Sequence, residues 1–80
     1  QPVFMATYAS AGQCIMASLL DGPSTAQLDL FDLQGRKLLQ STLEKSETRS
    51  INAAALASGT YLIVVSDEKR LLGNQLLVIP

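Results

Sequence analysis

The chain has 80 residues, a formal net charge of −1, no histidine, no tryptophan and a single cysteine. That length supports one domain, about 60% of whose surface is buried on folding, with no room for a large substrate cavity. The missing histidine and lone cysteine exclude histidine acid–base catalysis, a zinc finger and a disulfide framework, while 48% hydrophobic and 16% charged residues exclude a disordered chain or a general nucleic-acid binder.

Val3 to Tyr8 is apolar and bounded by Pro2 and Ser10, which predicts a short strand. Ala11-Gly12 reads as a turn, and Gln13 to Leu20 as a second strand. In it Ile15, Ala17 and Leu19 form the core face, and Cys14, Met16 and Ser18 point the other way. Asp21-Gly22-Pro23-Ser24 is the strongest turn signal in the chain. Gln27 to Leu33 alternates, with Leu28 and Leu30 set against Gln27, Asp29 and Phe31, so one face is expected in the core.

Asp32-Leu33-Gln34-Gly35 closes that strand as a turn, with Gly35 placed for a positive φ. For Arg36 to Arg49, propensity alone favours a helix. The Gly35 turn demands a hairpin partner, however, so the reading is a strand to about Thr42 and a polar loop through Glu47. Thr48 to Asn52 is expected as an edge strand with Ile51 inward. Ala53 to Ser58 is a link with room for one helical turn capped by Asn52, and Leu56 is expected to plug the end of the core. Tyr61 to Ser66 is the most β-prone run. Asp67 to Arg70, Lys69 included, is a charged, solvated turn, and Leu71 to Ile79 a last strand interrupted at Gly73-Asn74. About seven short strands with turns every eight to twelve residues indicate an all-β antiparallel sandwich or barrel.

The longest apolar run, Tyr61 to Val65, falls far short of the about 20 residues a membrane helix needs. No secretory leader stands at the N-terminus. Beginning at Gln1 without a methionine, residues 1–80 read as one module of a longer protein.

No catalytic constellation is found. None of the eight serines lies in a Gly-x-Ser-x-Gly setting, no histidine is present to activate Ser or Cys14, and a Ser–Lys dyad is improbable. Cys14 is expected to be buried as a small hydrophobe. Asp29 and Asp32 lie three apart on a strand and face opposite sides, so Asp29 reads as solvated and Asp32 as the cap of the Gly35 turn, not as a calcium pair. Arg36-Lys37 is either a solvated hairpin shoulder or a recognition handle. Gly59 reverses the chain into the next strand, where Tyr61 can pack its ring inward and tie the link to the sheet with its hydroxyl.

Three segments together resemble the C-terminal sorting domains of proteins exported by the bacterial type IX secretion system. They are LDLFDLQGRKLL at 28–39, SINAAALASGTYLIVVSD at 50–67 and QLLVIP at 75–80. Leu28, Leu30, Asp32, Gly35, Arg36, Ile51, Leu56, Gly59, Tyr61 and Val65 fall on the family pattern. The chain departs from it at FMATYASAGQ, where a Pro-Asn-Pro-like motif is usual, and at Pro80, where a basic residue is usual.

The resemblance implies an immunoglobulin-like Greek-key sandwich with no catalytic residues, cofactor or metal. It implies a signal that transits the periplasm and is read by an outer-membrane translocon. For most cargo a surface sortase-like peptidase then removes the domain and an anionic lipopolysaccharide is attached, so the cargo is secreted or stays on the outer-membrane surface, and the two departures leave room for a member that keeps the domain. Arg36, Lys37, Leu77, Val78, Ile79 and Pro80 are the candidate contacts. Asp32, Gly35, Gly59 and Tyr61 are the candidate shape-fixing residues. The alternative is an accessory immunoglobulin-like module, retained and binding glycan or protein, although glycan platforms usually need exposed aromatic rings. An open sheet edge also admits weak homodimerisation.

Overall fold

The computed structural model describes residues 2–68 and 70–80; Lys69 of the expected charged turn, and Gln1, lie outside them. Seven strands occur: β1 Phe4–Ala9, β2 Cys14–Leu19, β3 Thr25–Phe31, β4 Lys37–Glu44, β5 Thr48–Asn52, β6 Gly59–Ser66 and β7 Leu71–Ile79. Among the described residues there is no helix. They form two antiparallel sheets, one ordered β1-β2-β5 and the other β4-β3-β6-β7. The chain crosses between sheets after β2, β4 and β5, so β2 pairs with β5 and β3 with β6. This all-β sandwich is consistent with an immunoglobulin-like fold.

The core lies between the sheets and follows the period-two pattern. Ile15, Ala17 and Leu19 of β2 meet Ala26, Leu28 and Leu30 of β3, with Leu43, Ile51, Ile63 and Val65 completing the layer. Each fully buried Leu, Ile or Val contributes about 1.5–3 kcal/mol relative to exposure. Leu56 is half-buried and packs against this cluster at the end of the link. At one side the sheets are fastened by a direct contact. Gln75 Nε2 on β7 donates to the Ala6 carbonyl oxygen on the edge strand β1 at 2.7 Å, which occupies an edge group that would otherwise face outward.

Several local expectations are corrected. β4 continues to Glu44, because Leu43 pairs with Ala26 and is buried; the loop shrinks to residues 45–47. β7 is not interrupted at Gly73-Asn74. It bulges instead at Leu72, since Val65 pairs with Gly73 and Ser66 with Leu71. The link after β5 makes a hydrogen-bonded turn in place of a helical one, with Leu56 N donating to Ala53 O at 3.0 Å. Asn52 Oδ1 still accepts from Ala54 N at 2.9 Å. The turn expected at Ala11-Gly12 is present, and Gln13 in it has φ +50°.

Candidate functional site

The Asp32-to-Arg36 turn is built around one carboxylate. Asp32 Oδ1 accepts from Gln34 N at 3.0 Å and from Arg36 N at 2.9 Å, while Oδ2 accepts from Arg36 Nε at 2.7 Å. The backbone closes the same loop, with Gly35 N donating to Asp32 O at 3.1 Å and Asp32 N to Arg36 O at 3.0 Å. Gly35 adopts φ +91°, which costs a side-chain-bearing residue about 1–2 kcal/mol. The Arg36 backbone N–H is the main reason the Asp32 carboxyl is held below the usual carboxylate range. Partial desolvation opposes it, and the Arg36 side-chain hydrogen bond and charge and the Gln34 N–H add to it. Sequence spacing placed Asp32 as the cap, and the geometry agrees.

Asp29 is a correction. It points away from the core as the alternation requires, yet it is only 7% exposed instead of solvated. Gln27 Nε2 donates to both its oxygens at 3.1 Å, and Lys37 Nζ lies 3.6 Å from Oδ1. Both ion pairs near the turn share one asymmetry. Arg36 and Lys37 side chains are 77% and 47% exposed, while their partners Asp32 and Asp29 are 11% and 10% exposed.

At the same end of the sheet, where Phe31 pairs with Leu62, Gly59 (φ +151°) leads into β6. Tyr61 is buried, and its hydroxyl donates back to the Ala57 carbonyl oxygen, so the expected corner is present. Ser58 Oγ donates to the Pro80 carbonyl oxygen at 2.8 Å, which joins the corner to the chain end. The terminal residues divide by face. Leu77 and Ile79 belong to the core, whereas Leu76 and Val78 are each 63% exposed.

The outward face of β3, β6 and β7 carries residues the sequence reading did not single out. Leu33, Leu62, Val64 and Leu76, with Phe31, line an open groove of about 350 Å³ beside Asp32 and Gly35. A signal was present, because residues 62–65 of β6 and 76–79 of β7 are continuous apolar runs, and such runs belong to strands covered on both faces. A larger groove of about 870 Å³ opens at the other end of the face, lined by Pro23 and Ala26 and by polar residues that include Gln27, Thr42, Glu68 and Arg70.

Cys14 is half-buried, not enclosed, with its thiol 3.6 Å from Met16 Sδ. Phe4 and Tyr61 are buried and Tyr8 and Phe31 half-buried, so no fully exposed ring offers a glycan platform. No group of three or more His, Cys, Asp or Glu residues is arranged to hold a metal among the described residues.

The model of one protein family, described as the secretion system C-terminal sorting domain, matches residues 11–79. No curated protein matches.

Proposed function

We propose that this chain, which belongs to the family of secretion system C-terminal sorting domains, is read as a folded, non-catalytic unit by protein partners. It is a C-terminal sorting signal of type IX secretion. It engages that machinery and directs export across the outer membrane to the cell surface or the extracellular space. The partners we assign are an outer-membrane translocon, met after transit through the periplasm, and a surface sortase-like peptidase. Residues 1–80 act as one module of a longer protein.

Asp32, Gly35, Gly59 and Tyr61 fix the shape that is read. Arg36, Lys37, Val78 and Pro80 contact the partner from the folded state. Leu77 and Ile79 hold the terminal strand in place, and they become contacts only when that strand is drawn out to pair with another edge. The observation that supports this reading is at the Asp32 turn, where Arg36 and Lys37 are far more exposed than the acids they pair with, Asp32 and Asp29.

The test is a neutral reporter carrying an upstream signal peptide and residues 1–80, expressed in a strain with the type IX system and in one without it. Delivery to the surface or medium only in the competent strain is expected, and the reporter's size reports cleavage. Periplasmic retention in both strains, with the domain folded, would overturn the reading. Deleting residues 76–80 is expected to leave the reporter in the periplasm, but it also removes Leu77 and Ile79 from the core. Val78→Asp, at an exposed position, is the cleaner variant.

A further inference from the structure

We propose that the outward groove of the four-stranded sheet docks a segment of a partner protein that carries aliphatic side chains with an acidic residue beside them. This deepens, and rests on, the sorting reading above.

The argument begins with sequence. Residues 62–65 of β6 and 76–79 of β7 are apolar at positions facing both ways, yet the sandwich covers one face only. The uncovered side is shaped. Leu62 and Val64, half-buried on the inner strand β6, make a floor, with Phe31 from β3 and Leu76 from β7 as walls and Leu33 projecting from the turn. Its volume of about 350 Å³ is at the small end of binding pockets, which run about 300–1,000 Å³. Leu33 is 65% exposed in the middle of a tight turn where a polar residue would serve the turn equally well.

Charge then selects the occupant. Lys37, Phe31, Leu62 and Leu76 form one row across the sheet. Neighbouring strands lie about 4.8 Å apart, so the Lys37 backbone stands about 14 Å from that of Leu76 across the row. Lys37 and Arg36 are the more exposed ends of their pairs with Asp29 and Asp32, and they flank the end of the groove that Asp32 lines. An apolar segment bearing a carboxylate at that end matches both features.

Other occupants fit less well. Anionic bilayers are bound through clusters of about 4–8 basic residues. Here the net charge is −1, and Glu68 lines the other end of the same face. A two-fold pairing of the groove with itself would bring Arg36 and Lys37 of both copies into one interface, while the acids that could meet them are already engaged.

The reporter system tests this with Leu33→Asp, Leu76→Asp and the double variant Arg36→Met/Lys37→Met, which removes charge and keeps the apolar stems. Met5→Asp, exposed on the other sheet, is the control. Each variant is first shown to be folded by a thermal melt. Delivery is expected to fall at least roughly tenfold for the groove and charge variants and to stay unchanged for Met5→Asp. Folded Leu33→Asp and Leu76→Asp chains delivered like the parent would overturn the groove while leaving the sorting reading intact. Normal delivery of the double Met variant would overturn the acidic partner. Failure of the unmodified reporter would instead overturn the sorting reading, and this proposal with it. Two further measurements use the purified chain. Leu76-dependent sedimentation with phosphatidylglycerol vesicles would reassign the groove to a membrane, and a Leu76-dependent dimer in light scattering would reassign it to a second copy. Either result overturns the proposal.

Discussion

The Tyr61 hydroxyl oxygen lies 2.5 Å from the carbonyl oxygen of Ala57 and donates its proton there, closing the corner that Gly59 opens. The bond links the connection that crosses from β5 to β6 to an inner strand of the larger sheet, and the ring beneath it is buried. Tyr61→Phe keeps the ring and loses the bond. It is expected to cost about 1–1.5 kcal/mol, or a Tm lowered by about 4–8 °C per kcal/mol in a domain of this size. Thermal unfolding followed by circular dichroism checks it, and an unchanged Tm would remove the corner from the list of stabilising contacts.

Ser58 and Pro80 make a second tie at the same corner. It is exposed, so its loss acts locally. Ser58→Ala is expected to speed amide exchange at Val78 and Ile79 while lowering global stability by no more than about 1 kcal/mol. Exchange rates equal to the parent's would show that the β6 pairing alone holds the chain end.

The folded state lowers the Asp32 pKa, so Asp32 binds a proton more readily in the unfolded chain. Its contribution to stability is therefore complete above the unfolded value of about 3.9 and is lost as pH falls through the folded value. Asp32→Asn keeps an oxygen to accept from the turn N–H groups and gives up the charge. Denaturant titrations from pH 7 down to 2 are expected to show the parent more stable at neutral pH and the two converging in acid. Parallel curves at every pH would contradict the assignment.

Gly73 gives the Phe4 ring its space, since a Cβ there would lie 3.2 Å from Phe4 Cε1. Relief of backbone entropy favours Gly73→Ala by about 0.4–1 kcal/mol, and crowding the ring opposes it by about 1–3 kcal/mol. Phe4 is wedged between the sheets, so crowding is expected to win. In a Phe4→Leu background the same change is expected to be neutral or stabilising, giving a coupling energy of at least about 0.5 kcal/mol in a double-mutant cycle. Additive effects would show that the ring moves aside freely.

Much of the fold was legible because it is local. Asp32, Gly35 and Arg36 lie within one turn, so their spacing alone announced the cap, the positive φ and the displayed cation. Ile15, Ala17, Leu19, Leu28 and Leu30 were legible as core because a strand's side chains alternate whatever it packs against. The corner at Gly59 and Tyr61 was legible for a similar reason, its hydrogen bond spanning only four residues.

What the sequence left open depended on distant partners. The length of β4 follows from Leu43 meeting Ala26, and the burial of Asp29 from Gln27 and Lys37 folding over it. The outward groove was not read from the apolar residues of β6 and β7, because only the stacking of the two sheets determined which of their faces stayed open. Side-chain alternation and turn chemistry are properties of neighbours along the chain. Exposure is a property of whatever the folded backbone brings across it, and no local pattern contains that.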